Sequence, residues 1–289
     1  MTESDKTKSA MTVVASSPIG IFDSGIGGLS VLRHVHALLP DESLLYFADS
    51  GFAPYGEKPE SVIVARVLAI AEFLLQSNVK ALVVACNTAT AAAIAALRTR
   101  YPQLQVVGVE PGLKPAAALT QTGVVAVLAT EGTLTSEKFQ KLQQQITQST
   151  GVNFLLQACN GLADQIEKAE LNSRETAAMV QRYVAPLMAN HADTIVLGCT
   201  HYPFVEHLIL EAAAKPGICL VDTGEAVARQ LERLLNQHGL LHPERIEDHE
   251  PGELLAYTTG SGKALATAFR TLLKLQPAVT EIAVEVGNA

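Results

Sequence analysis

Short, nearly uninterrupted apolar runs alternate with longer helical patterns along this chain, and that alternation restricts its fold more than any other feature. Residues 19–23, 44–49, 81–86, 106–110, 123–130, 153–158, 194–199 and 218–222 read as strands. Between them lie periodic segments such as 60–76, 88–100, 136–147, 173–190 and 225–236. Strands that are apolar at successive positions are buried on both faces, which is the condition of a parallel sheet covered by helices on each side. The fold class is therefore α/β, and eight or more strands suit two sheets better than one.

A weak internal echo supports two units. In the first half one strand ends in Asp23-Ser24-Gly25 and a later one in Ala85-Cys86-Asn87-Thr88. In the second half, at a similar spacing, one ends in Ala129-Thr130-Glu131-Gly132-Thr133 and a later one in Gly198-Cys199-Thr200-His201. Two such units facing each other would gather these strand ends into one cleft. From Asp222 onward a further strand (254–259) and helix (264–273) follow, and pattern alone leaves open whether they return to the first sheet.

The length of 289 residues fits one large domain or two of about 100–150 residues. Hydrophobic residues make up 48%, enough for substantial cores. A formal charge of −8, with no basic stripe, argues against nucleic acid or an anionic membrane as partner. An anionic ligand must then be held by local dipoles. Residues 1–17, polar and charged around a short apolar patch, read as a flexible tail and not a secretory signal. The most apolar stretch, 81–97, is broken by Asn87, Thr88 and Thr90 and falls short of a membrane span. Four cysteines in so long a chain are no disulfide framework, so free thiols in a reducing cytoplasm are expected.

In open α/β sheets ligands bind at the carboxyl ends of strands. Cys86 and Cys199 both sit there, each followed by polar residues that suit a helix N-cap, where the helix dipole and free N–H groups stabilise a thiolate. A single strand-end cysteine is more often a small buried hydrophobe; two in matching settings favour chemistry. Cys159 and Cys219 lack a matching motif and are assigned to packing. In Asp23-Ser24-Gly25-Ile26-Gly27-Gly28 the glycines would let backbone N–H groups approach an anion. Asp23 there either caps the turn, accepts from a substrate ammonium, or acts on a nearby thiol. His201, two residues after Cys199, can exchange a proton with a thiol. No Cys-x-x-Cys or His-x₃-His pair accompanies it, which speaks against metal. The other seven histidines, at 34, 36, 191, 207, 238, 242 and 249, are read as solvated helix and loop positions. The segment Thr259-Gly260-Ser261-Gly262-Lys263-Ala264 imitates part of a P-loop, but Tyr257 and Ala264 stand where Gly and Ser or Thr are required.

Taken together, these motifs resemble those of glutamate racemases, in the aspartate/glutamate racemase superfamily, over residues 19–273. The resemblance rests on Phe22-Asp23-Ser24-Gly25-Ile26-Gly27-Gly28-Leu29-Ser30, Pro54-Tyr55-Gly56-Glu57-Lys58 and Ala85-Cys86-Asn87-Thr88-Ala89. It continues through Gly108-Val109-Glu110-Pro111, Ala129-Thr130-Glu131-Gly132-Thr133 and Leu197-Gly198-Cys199-Thr200-His201-Tyr202-Pro203. It departs at Leu134 and Phe139, where Val and Tyr are more usual. The resemblance implies two Rossmann-like domains with mainly parallel sheets facing each other across an active-site cleft. The first domain would comprise 18–111 plus the returning 222–278, and the second 112–221. It implies cofactor-independent interconversion of L- and D-glutamate, with Cys86 and Cys199 as the proton-transfer thiols and Asp23 and His201 assisting. Substrate contacts would fall on Asp23, Ser24, Tyr55, Gly56, Asn87, Thr88, Thr200 and His201. D-Glutamate supply for peptidoglycan synthesis follows as the expected role. Some members respond to a cell-wall-precursor activator, and a homodimer is left open.

Two thiols answer a geometric need, because a single base tends to return the α-proton to the face it came from. The nearest rival substrate is aspartate, but aspartate racemases tend to carry an acidic residue in place of His201. A rival of another class, a thiol-redox or binding protein, predicts a Cys86–Cys199 disulfide or indifference to losing one cysteine.

Overall fold

A computed structural model describes residues 13–243 and 251–285; His249 and the first twelve residues of the expected tail lie outside them. The strands are β1 (Ile19–Asp23), β2 (Leu44–Ala48), β3 (Ala81–Val84), β4 (Gln105–Gly108) and β5 (Val124–Ala129). They continue as β6 (Asn153–Ala158), β7 (Thr194–Gly198), β8 (Cys219–Val221), β9 (Leu254–Thr258) and β10 (Ala278–Glu281). They form a six-stranded sheet in the order β10-β9-β2-β1-β3-β4 and a four-stranded sheet in the order β6-β5-β7-β8. Every pairing is parallel. The segment after Asp222 does return to the first sheet, with β9 pairing β2. The largely exposed edge strand β10 has no counterpart in the sequence reading.

Period-two alternation divides each sheet's apolar residues between two cores. Ile19, Ile21, Leu44, Tyr46, Ala81 and Val83 face one core of the first sheet, whereas Phe22, Leu45, Phe47, Leu82 and Val84 face the other. The second sheet repeats this, with Ala126, Leu128, Ile195 and Leu197 on one side and Val125, Val127 and Val196 on the other. Carrying the alternation past the strand ends, by two residues after β3 and one after β7, puts Cys86 in the second of these cores and Cys199 in the third. Leu134 and Phe139, the two departures from the usual pattern, are both buried in the fourth. Among the described residues, no helix is long and apolar enough to cross a membrane.

In each sheet the strand order reverses around one strand, β1 in the first and β5 in the second. Connections leave such a strand to opposite sides, opening a crevice at its carboxyl end. β3 lies beside β1, and β7 beside β5. The echo in the sequence thus has a physical basis, since Asp23 adjoins Cys86 as Thr130 adjoins Cys199.

Asp193 fastens the start of the second sheet. Its carboxylate accepts from Thr120 Oγ1 (2.6 Å), from the Gln121 and Thr122 amides (both 2.8 Å) and from Thr194 Oγ1 (3.0 Å). Burial alone would raise its pKa, but these donors outweigh it and hold the group at about 2. A depressed carboxyl pKa stabilises the fold above the ordinary aspartate range, and the contribution disappears as pH falls through the folded value. Asp193→Asn is therefore expected to lower the urea midpoint at pH 7. Its gap to the native chain should close between about pH 4 and pH 2.

Candidate active site

The carboxyl ends of β1 and β3 face those of β5 and β7 around a cavity of about 290 Å³. That is at the small end of ligand pockets, roughly 300–1,000 Å³, and suits a small metabolite. Ser24, Tyr55, Gly56, Asn87, Thr88, Thr200 and His201 border it, as do both Cys86 and Cys199. Asp23 stands one layer behind. It is fully buried, and its carboxylate accepts from the Gly25 amide (3.1 Å) and from Thr200 Oγ1 (3.3 Å). It therefore braces the Thr200 turn from beneath the cavity wall.

Cys86 is itself the N-cap of the helix Asn87–Arg100, its Sγ accepting from the Ala89 amide at 3.4 Å. Its thiol also donates to Ser24 Oγ at 3.7 Å. Burial pushes the thiol pKa strongly up and the Asp23 carboxylate pushes it further, against smaller pulls from Ala89 and Ser24. This environment favours the neutral thiol of Cys86, the form that can give a proton. No disulfide joins it to Cys199, and both are free.

Cys199 differs from the expectation drawn for it. No α-helix begins at its turn; the chain passes through a short 3₁₀ segment, Tyr202–Val205, before the helix Glu206–Ala213. A helix dipole is replaced by an imidazole. His201 Nδ1 lies 3.6 Å from Cys199 Sγ, and its Nε2 lies 2.9 Å from Glu167 Oε2. Burial disfavours the imidazolium, but the hydrogen bonds to Cys199 and Glu167 win and hold the His201 pKa well above its ordinary value. Glu167 answers in kind. Burial would raise its pKa, yet the bond to His201 lowers it below the usual carboxylate value.

Glu167 is absent from the sequence reading. It ends the short helix Leu162–Glu167 and reaches 141 positions back, where its Oε2 accepts from the Ile26 amide at 2.9 Å. Its Oε1 accepts from Ser50 Oγ at 2.7 Å. The glycines after Asp23 do admit an anion, but that anion is this side chain. A Cβ on Gly25 would lie 2.3 Å from Glu167 Oε2, and one on Gly27 would lie 2.4 Å from His201 Nδ1. The missing Cβ atoms at Gly25 and Gly27 were the available signal, pointing to close approach by another part of the chain.

Hydroxyl groups tie the two sheets together beside the cavity. Thr88 Oγ1 lies 2.9 Å from Thr130 Oγ1, and Ser30 Oγ donates to the Thr200 carbonyl at 2.8 Å. Cys159, read as packing alone, is buried among apolar residues but also borders the cavity, and burial pushes its thiol to about 12. Cys219 is half-buried on β8. His191, His207 and His238 are exposed as expected, whereas His34 is half-buried with Nε2 3.7 Å from Asp222.

Residues 20–231 match the family described as Asp/Glu/hydantoin racemase. The glutamate racemase of Ectopseudomonas mendocina is 55% identical over 227 residues, covering 78% of this chain and 85% of that one. The chain belongs to this racemase family, on its glutamate racemase branch. Solved structures of the same branch share its architecture. A glutamate racemase isoform from Bacillus anthracis matches with a TM-score of 0.81 at 32% identity, covering 92% of this chain and 97% of the other. Escherichia coli glutamate racemase, solved with L-glutamate and the activator UDP-MurNAc-Ala, matches with a TM-score of 0.78 at 32% identity, covering 93% and 99%. For a racemase of this branch, the arrangement offers one thiol from each sheet, with hydroxyl and amide groups between them.

Proposed function

We propose that this glutamate racemase interconverts L- and D-glutamate without a cofactor, by proton transfer between Cys86, Cys199 and the α-carbon. The observation that carries the reading is the pair of buried free thiols, each at a strand end of a different sheet, bordering one cavity. With L-glutamate bound, Cys199 removes the α-proton and Cys86 delivers its own to the opposite face. The C–H bond breaks toward one sulfur while a new one forms from the other, so the thiols exchange protonation states at each turnover. For D-glutamate the roles reverse.

The α-proton is weakly acidic, so the developing negative charge on the carboxylate must meet positioned donors. Asn87, Thr88 and the backbone N–H of Thr200 take that role, and the loop carrying Tyr55 and Gly56 holds the far end of the substrate. Ser24 and Asp23 serve the ammonium side, Asp23 by fixing the Thr200 hydroxyl. His201, held by Glu167, exchanges the proton of Cys199. The product serves peptidoglycan synthesis, and a cell-wall precursor is the regulatory partner suggested by the activator bound to the Escherichia coli relative.

Incubation with L-glutamate in heavy water tests the reading, following optical rotation and α-deuteration together. Loss of rotation with one deuterium entering the α-position is expected. Unchanged rotation with glutamate, or faster turnover of aspartate, would overturn it.

A further inference from the structure

Behind the substrate loop lies a buried ion pair that the proton-transfer machinery does not use. Arg66, on the inner face of the helix Glu60–Gln76, has a side chain only 7% exposed, and that of Asp49, just after β2, is 0% exposed. The guanidinium grips both carboxylate oxygens, Nε to Oδ2 at 2.8 Å and Nη2 to Oδ1 at 2.7 Å. Two further donors complete the carboxylate: the Tyr55 hydroxyl at 2.6 Å and Thr259 Oγ1 at 2.7 Å. Arg66 also lies over the Phe52 ring, 4.8 Å from its centroid, and Phe52 meets Tyr55 edge-on at 6.0 Å. Its third donor, Nη1, holds the Val284 carbonyl at 2.5 Å.

The consequence is directional. Tyr55 spends its hydroxyl on Asp49, facing away from the cavity, while residues 53–57 border the cavity. Burying an ion pair carries a heavy desolvation cost for each ion, and apolar packing of equal volume is often at least as stable. Stability is therefore a poor reason for placing one here; a fixed geometry is a better one. An arginine fork offers that where a lysine cannot, because it engages both oxygens in one plane and stacks on a ring besides.

We infer that the Arg66–Asp49 pair is a positioning device for the loop 53–57, setting affinity for the substrate more than the rate of proton transfer. The inference rests on the glutamate racemase reading for its substrate, but not for the order of the loop. Neither charged group touches the reacting atoms, so both are positioning residues.

Arg66→Met, Arg66→Lys, Tyr55→Phe and the Arg66→Met/Tyr55→Phe double variant test it in the full-length chain. Each single variant is expected to raise KM for L-glutamate about tenfold or more while kcat changes much less, since a loop misplaced by about an ångström weakens positioning. Arg66→Lys should recover little, because one ammonium replaces the fork. The double variant should be no worse than the worse single one, as two steps of one route are not additive. Amide hydrogen exchange in the peptide spanning 53–57 supplies a readout without substrate, and should accelerate in Arg66→Met. Unchanged exchange there, or KM within about twofold of the native value in Tyr55→Phe, would overturn the inference. A native chain that fails to racemise glutamate, alongside accelerated exchange in the variant, would sink the functional reading and leave the loop's positioning intact. Should Arg66→Met not fold, Tyr55→Phe removes a single hydroxyl and still decides the matter.

Discussion

Cys86→Ser and Cys199→Ser should each lower racemisation in both directions by roughly 10³-fold or more, within the range that a positioned proton-transfer group contributes. Inversion needs a base on one face and an acid on the other, so losing either sulfur stops both directions alike. A serine hydroxyl keeps the shape of the site but cannot form the anion near neutral pH. The residual chemistry should be one-sided. Cys86→Ser, retaining Cys199, should slowly exchange the α-proton of L-glutamate with solvent without inverting it, and Cys199→Ser should do so with D-glutamate. Proton NMR in heavy water, run separately on each enantiomer, reads this directly. Full activity in either variant, or identical exchange of both enantiomers, would sink the two-thiol assignment. Both cysteines are buried, at 5% and 7% exposure, and losing a contact of that size costs on the order of 1 kcal/mol. Unfolding is therefore not the expected cause of the loss.

Glu167→Gln should produce the second largest effect, roughly a 10²-fold fall in kcat with a displaced pH profile. Burial opposes the His201 imidazolium, and the bonds to Cys199 and Glu167 overcome that opposition. Removing the carboxylate charge removes one of the two supports, so the His201 pKa falls. Any step that needs the imidazolium is lost as pH rises through its folded pKa; the alkaline limb of the profile should therefore move to lower pH. The stability signs run in opposite directions for the two partners. His201, raised, contributes fully below its ordinary value and less as pH climbs through the folded one; Glu167, lowered, contributes above its ordinary value and loses that as pH falls. The variant should accordingly be most destabilised between the ordinary glutamate pKa and the ordinary histidine pKa, with the gap narrowing as pH climbs toward the raised histidine value. A pH profile of kcat and a urea series at three pH values check both signs. An alkaline limb unmoved by Glu167→Gln would separate Glu167 from the proton path.

How far the site could be read beforehand depends on where its parts lie along the chain. Cys86 and Cys199 were legible because continuous apolar strands announce their own carboxyl ends, and ligands gather there. Asn87, Thr88 and Thr200 come with them as near neighbours in the chain, and Ser24 stands at another such strand end, after β1. Glu167 was not legible, because it closes a six-residue helix with no motif of its own and gains meaning only by meeting the turn after β1. Gly25 and Gly27 hinted at a close-approaching anion without saying whose. Asp49 and Arg66 were silent for a similar reason, since a strand-end aspartate and a helical arginine look like solvated charges until both prove buried. The helix expected after Cys199 failed because a polar turn there leads first into a 3₁₀ segment.

The sequence by itself determined the local rules: parallel strands buried on both faces, their order along the chain, and two thiols at equivalent strand ends. These follow from hydrophobic periodicity and short-range turn chemistry, which act over a few residues. Tertiary structure alone decided which charges are buried and with whom. It set the Glu167–His201 pair beside Cys199, the Asp23 brace under Thr200, and the Arg66–Asp49 clamp behind Tyr55. The electrostatics of a buried group depend on what surrounds it in space, and those surroundings come from segments far apart in the chain.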